Sequence, residues 1–425
     1  MDDASIDVKR AARDAAYSAP LDQINPADPE LFRTDTMWPY FERLRKEDPV
    51  HWSVSPEEDI GGFWSVTKYN DIMAVDTNHQ VFSSEPTIVL PDPAEDFPLP
   101  MFIAMDQPKH DVQRKTVSPA VSPAHLMRLE PIIRERAAKI LDDLPIGEEF
   151  NWVEKVSIEL TTMTLATLFD FPWEDRRKLT RWSDVATAAP DSGLFSSTDK
   201  DIAEQERRTE LFECVDYFMR LWNERVNAPP RGDLISMLAH GESTRDMDRM
   251  EYLGNLILLI VGGNDTTRNS ITGSVYALSQ NPDQERILRA DHSLIPAMVS
   301  ETIRWQTPLA YMRRVALQDF ELGGKTIKKG DKLAMWYVSG NRDEEVIERP
   351  NDYWIQRPRV RQHLSFGFGI HRCVGNRLGE LQLKIIWEEI LKRFPRIEVT
   401  GPPRRVPSSF VKGYEYLPVV IPTRN

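Results

Sequence analysis

Phe366-Gly367-Phe368-Gly369-Ile370-His371-Arg372-Cys373-Val374-Gly375 is the stretch on which the fold turns. It places a cysteine behind a loop of glycines, directly before the last clear helical pattern of the chain, Gly375 to Phe394, which Pro395 stops. Glycines let backbone approach a flat object closely, and the amides and dipole at a helix N-terminus favour sulfur in its anionic form. A thiolate offered in this way is a metal ligand. The other cysteine, Cys214, lacks such surroundings and reads as an inert core residue.

Working outward, short strand patterns begin at Arg313, with turns at Gly323-Gly324 and Lys329-Gly330, and return at Phe410 to Ile421. Helical periodicity dominates from Val121 to Gln280, and no proline interrupts Pro230 to Pro282, so Met247 to Ser279 predicts one helix of roughly 48 Å. Between Phe82 and Pro108, prolines stand among Ile88, Val89, Leu90, Met101, Phe102 and Ile103, which excludes a regular helix or a central strand. Such an apolar loop either caps the core or walls a pocket for an apolar ligand. Trp38 to Lys46 predicts a helix leading into strands at Val50 to Val54 and Gly62 to Thr67, and the polar residues up to about Asn25 read as a mobile segment. The pattern is mainly α with a small β subdomain, in one continuous domain over residues 1–425.

With 53 basic against 66 acidic residues the net charge is −13, which argues against a nucleic-acid partner. Two cysteines make no disulfide framework, and the chain opens without a charged-then-apolar signal. The longest apolar run, Leu253 to Gly263, is about half of the ~20 residues a membrane helix needs. The expectation is a cytoplasmic protein without a membrane anchor.

Three further segments carry chemistry. Glu301-Thr302-Ile303-Arg304 sets an acid and a base three residues apart on one helix face, a pattern that alone is worth a few tenths of a kcal/mol. Inside the long helix lies Gly262-Gly263-Asn264-Asp265-Thr266-Thr267. Two interior glycines cost about 1 kcal/mol each, and the Thr266 hydroxyl, four residues after Gly262, can take that carbonyl and open the helix locally. In Pro108-Lys109-His110-Asp111-Val112-Gln113-Arg114, His110 and Arg114 share a helical face suited to anions.

These segments, in this order, resemble the cytochrome P450 family. Its haem signature, Phe-x-x-Gly-x-His/Arg-x-Cys-x-Gly, is matched at Phe366, Gly369, His371, Cys373 and Gly375, and the likeness runs to Gly413-Tyr414-Glu415-Tyr416-Leu417-Pro418-Val419. The resemblance implies haem b between the long helix and the cysteine loop, with Cys373 as iron ligand and Phe366 in the haem-binding loop. It makes Glu301 and Arg304 a buried structural pair, and His110, Arg114, Arg314 and His371 propionate partners, with His363 a weaker candidate. Asp265 becomes the proton supplier and Thr266 the residue that directs its use in dioxygen activation. The family's second arginine comes from a Pro-x-Arg-Phe-like segment, but Pro350-Asn351-Asp352-Tyr353 has Asp352 there, leaving Asp352 bonded to Arg304 or Arg342 as substitute.

An anionic sulfur opposite dioxygen favours O–O cleavage, so the implied activity is monooxygenation with dioxygen as co-substrate. Without a flavin or iron–sulfur cysteine pattern in the chain, electrons are expected from a ferredoxin and its NAD(P)H-dependent reductase, docking near Lys115, Arg372, Arg377 and Lys384. The expected substrate walls are Leu258, Val261, Gly262, Leu309, Ala310, Phe410, Val411 and the proline-rich loop, which suit a small apolar aliphatic molecule. The segments from Gly262 to Ile271, Leu309 to Arg314 and His363 to Leu378 are similar to the bacterial alkane terminal-hydroxylase branch, which oxidises medium-chain alkanes and the methyl end of fatty acids. The alternatives are a methyl-branched lipid or sterol side-chain hydroxylase and, from another class, a haem-binding sensor or carrier without turnover, against which Asp265 and Thr266 speak.

Overall fold

Strands from the two ends of the chain meet in the small sheet of this computed structural model, which describes residues 3–425. Helix α1 (Asp3–Ser18) occupies the stretch expected to be a mobile segment. The reason is tertiary: Arg43, on the helix Trp38–Glu47, donates Nη1 to the Ala16 and Ala19 carbonyls at 2.7 Å each, capping the end of α1 from outside. Val50–Val54 (β1) and Gly62–Val66 (β2) form as the alternation predicts and pair antiparallel, Val50 opposite Val66. β2 then runs parallel to Lys332–Met335, which pairs with Met312–Ala316, which in turn holds the two-residue edge Phe82–Ser83.

The helix Arg249–Gln280 (α2) is the axis of the molecule. Asp248 caps it, accepting from the Met250 and Glu251 amides at 2.8 and 2.9 Å, and Asn281-Pro282 ends it. Leu253, Leu256, Ile257, Ile260, Ile271, Val275 and Leu278 are all buried, more than one stripe can hold, so the helix is packed all round. The proline-rich loop crosses it at Gly254, where a Cβ would strike the Pro100 carbonyl, and the Asn255 side chain accepts from the Phe102 amide at 2.9 Å. Both readings of that loop apply. Leu90 is buried in the core, Phe97 and Phe102 are buried and also line a cavity, and Ile88, Val89, Leu99 and Ile103 face that cavity. Two more helices complete the site, Ile295–Gln306 (α3) and Asn376–Arg393 (α4), the latter following the cysteine loop. Among the described residues no helix is long and apolar enough to cross a membrane.

Candidate active site

The cysteine loop closes on itself through the Cys373 amide, which donates to the Phe366 carbonyl at 2.8 Å. Gly369 has φ +66°, and a Cβ there would meet the Asp76 backbone, so the loop needs glycine on both counts. Cys373 and Phe366 line a cavity of about 740 Å³ together with His371 and, from α2, Gly262 and Thr266. Cys373 opens to the cavity, yet in the free thiol desolvation by the surrounding protein raises its pKa, outweighing the Gly375 and Asn376 amides and the charges of Arg114 and Arg372. A cation on the sulfur is what tips this balance to the thiolate.

Glu301 and Arg304 are 0% and 1% exposed and joined by two bonds of 2.8 and 2.7 Å. The second arginine is Arg357, which donates to both Glu301 oxygens at 3.0 and 3.2 Å. Neither alternative read from the sequence occurs. Asp352 offers Arg304 only its backbone carbonyl, at 3.0 Å, while its carboxylate turns outward to Arg349 at 2.7 Å. Arg342 lies over the Trp38 and Trp305 rings, and burial lowers its pKa to about 9. The signal for Arg357 was present, an arginine followed by Pro358 seven residues beyond Pro350, but only the loop path brings it to Glu301. Against the penalty of burial, Arg304 and Arg357 hold Glu301 below the ordinary carboxylate range. The pair is tied to the cysteine loop through Asn341, which takes the Leu364 amide at 2.7 Å while its carbonyl accepts from Arg304 at 2.9 Å.

On α2 the Thr266 hydroxyl donates to the Gly262 carbonyl at 2.8 Å, as its spacing predicts. Asp265 is fully buried and faces away from the cavity, accepting from Ser183 at 2.9 Å and Thr187 at 3.3 Å, with Arg268 at 3.1 Å. Burial raises its pKa, opposed first by Arg268. Arg268 pairs in turn with the partly exposed Asp184 at 2.6 Å, and Thr187 lines the cavity, so Asp265 stands between surface and cavity. Arg268, Asp184 and Thr187 were not found in the sequence; only Arg268, at i+3 from Asp265, had a local signal.

Arg314 also lines the cavity, paired with the buried Asp76 at 2.9 Å. Asp76, absent from the sequence reading, further accepts from the Tyr337 hydroxyl at 2.9 Å and the Phe368 amide at 2.8 Å. Arg114 lines the cavity and donates to the Arg372 carbonyl. His110 and His371 are buried with ring centroids 4.2 Å apart. His110 Nε2 and both His371 nitrogens have no hydrogen-bond partner among the described residues. Buried orphan polar atoms of this kind call for a polar ligand. His363 is buried behind Phe366, 5.4 Å ring to ring, and does not line the cavity; burial lowers its pKa to about 3.

Of the expected substrate walls, Leu258, Val261, Gly262, Leu309 and Phe410 line the cavity. Ala310 and Val411 do not. Each directly follows a cavity residue, yet both are buried, Ala310 in a cluster with Trp336, Phe32 and Phe41.

The donor set, one sulfur on a glycine loop beside unpaired imidazoles and guanidinium groups, fits a metal carried in an acidic macrocycle. Among the described residues no cluster of three or more His, Cys, Asp or Glu could hold a bare ion. Fold and site together define a haem-thiolate protein. The chain belongs to the cytochrome P450 family, whose model it matches over residues 65–412, and its cofactor is haem b with dioxygen as co-substrate. It is 37% identical over 406 residues to the linalool 8-monooxygenase of Pseudomonas putida, covering 93% of this chain and 98% of that one. It is 34% identical to the steroid C26-monooxygenase of Mycolicibacterium smegmatis, covering 88% of each. The solved structure of CYP153D17 from Sphingomonas sp. PAMC 26605 matches with a TM-score of 0.85 at 49% identity, over 93% of this chain and 98% of that one. The protein is a cytochrome P450 monooxygenase.

Proposed function

We propose that this monooxygenase hydroxylates the terminal methyl group of medium-chain alkanes or fatty acids. The supporting observation is the hydrocarbon wall that shares the cavity with Thr266: Leu258, Val261, Leu309, Phe410 and, from the loop, Leu99 and Ile103. A heavily hydroxylated substrate would leave polar groups unpaired there, at roughly 1–3 kcal/mol each. A primary C–H bond is stronger than the neighbouring secondary ones, so selectivity for the methyl end rests on confinement.

Haem, when bound, supplies the reductive activation of dioxygen that oxidises the C–H bond. The chain does the rest. Cys373 is the iron ligand, and Glu301, Arg304 and Arg357 fix its loop through Asn341. Arg114, Arg314 and His371 on the cavity wall, with His110 packed against His371, would hold the propionates, and Phe366 closes the loop. Asp265 moves protons from the Arg268–Asp184 side toward Thr187, and Thr266 directs them within the groove at Gly262. A carrier without turnover has no use for this carboxylate path. Electrons come from a ferredoxin and its reductase in the cytoplasm, docking by the exposed Lys115, Arg372 and Arg377 and the half-buried Lys384.

The relatives named for linalool and steroid oxidation favour a second reading, hydroxylation of a methyl-branched lipid or sterol side chain. Octane with a surrogate ferredoxin system separates the two. We expect 1-octanol; mainly internal alcohols, together with turnover of a sterol side chain, would transfer the assignment to the second reading.

A further inference from the structure

The charged groups on the cavity wall can be followed one by one. Four are cations: Lys109, Arg114, Arg207 and Arg314. Lys109 is paired with Glu251 at 3.1 Å and Arg314 with Asp76 at 2.9 Å. Arg114 lies close enough to Cys373 to feel its charge and belongs with the haem-facing groups. Arg207 remains.

It sits on the helix Lys200–Val226, where Glu204, Arg207 and Leu211, spaced by three and four residues, turn one face to the cavity. Its Nη2 donates to the Ala188 carbonyl at 2.7 Å and its guanidinium lies over the Phe195 ring. Its Nε is buried and has no hydrogen-bond partner among the described residues. The nearest carboxylate oxygen, Glu204 Oε2, is 3.6 Å away, beyond hydrogen-bond reach, and Glu204 Oε1 accepts from Arg208 at 3.0 Å. The other carboxylates on the wall are Asp92, held by Arg313 and Lys332 at 2.8 and 3.0 Å, and Glu85, which accepts from the Asp106 amide at 3.4 Å. A guanidinium N–H left unmade in a mostly apolar cavity is costly unless a ligand completes it.

We infer that Arg207 is the subsite for the carboxylate of a linear fatty acid whose chain runs along the hydrocarbon wall and whose methyl end reaches the groove at Gly262 and Thr266. The inference rests on the terminal-hydroxylation reading and selects fatty acid over alkane within it. A carboxylate suits the site because it can accept from Nε and Nη2 together, the geometry at which arginine surpasses lysine. Glu204 opposes it as a like charge.

The test is a titration of the haem-loaded enzyme with decanoate, methyl decanoate and decane, read from the haem absorption spectrum. Arg207→Gln, which keeps a donor for Ala188, is expected to weaken decanoate about tenfold and leave the ester and decane unchanged. Arg207→Lys should fall between, and Glu204→Gln should tighten decanoate. An intact carbon-monoxide spectrum certifies each variant as folded. If Arg207→Gln weakens all three ligands equally, or if the parent binds decane and the ester as tightly as decanoate, the subsite is overturned while terminal hydroxylation stands. If the parent binds none of the three but takes a sterol, the linear-chain reading falls and the subsite with it.

Discussion

Behind the cysteine loop a buried charge network is knitted together: Glu301 receives Arg304, Arg357 and the Trp354 amide, and Asn341 links that network to the loop. Across the cavity the side chains of Leu258, Val261, Leu309 and Phe410 present only carbon, and Asp265, on the same helix as Leu258 and Val261, is turned away from the cavity. The first region must hold one atom in one place, so its charged groups share partners and each bond is directional. The second region must fit a chain by shape, so it is built from contacts that tolerate exchange. Substitutions in the first are therefore expected to break the protein, and those in the second to retune it.

The largest effect is expected at the ligand itself. Cys373→Ser should abolish the reduced carbon-monoxide band that reports thiolate ligation, whereas Cys214→Ser, buried in the core, should leave it; a retained band in the first variant would end the assignment.

Next comes the charge network. Glu301→Gln strands two buried guanidinium groups and should cost about 3–5 kcal/mol in denaturant unfolding. Because its folded pKa is depressed, the Glu301 contribution is complete above the ordinary glutamate value of about 4.3 and is lost as pH falls through its lower folded value. Stability of the parent should therefore drop in acid more steeply than that of Glu301→Gln. Asp352→Ala, whose side chain meets only the exposed Arg349, should change stability by less than about 1 kcal/mol. Equal losses at Asp352 and Arg357 would show that the network is misassigned.

On the distal side, Thr266→Ala should keep NADH consumption but divert it to hydrogen peroxide, and Asp265→Asn should slow turnover. Coupling equal to the parent in the first, or rate equal to the parent in the second, would contradict the roles. The smallest effect is one of selectivity. Leu309→Ala or Phe410→Ala should weaken octane binding by at most roughly 3 kcal/mol and raise 2-octanol at the expense of 1-octanol. If both variants stay terminal, the confining wall is the loop from Ile88 to Ile103.

Much of this contrast was legible in the chain. The glycine loop, the Thr266–Gly262 spacing, the uninterrupted helix and the Glu301–Arg304 pair are local features, and residues within a turn of one another meet wherever the helix goes. Irregular backbone could not be read so far: Leu309 and Phe410 line the cavity, whereas their chain neighbours Ala310 and Val411 do not. Sequence by itself determined the family, and it marked out Cys373 and the Asp265–Thr266 pair as candidate site residues, because each lies in a contiguous motif whose chemistry is set by spacing. Tertiary structure alone decided that Arg357 and not Asp352 answers Glu301, that Arg268 and Thr187 frame Asp265, that Asp76 steadies Arg314, and that α1 is a helix held by Arg43. All of these join residues distant in the chain or reached only by a loop's path, and which buried charge finds which partner is settled by how the elements pack, a quantity that no local pattern encodes.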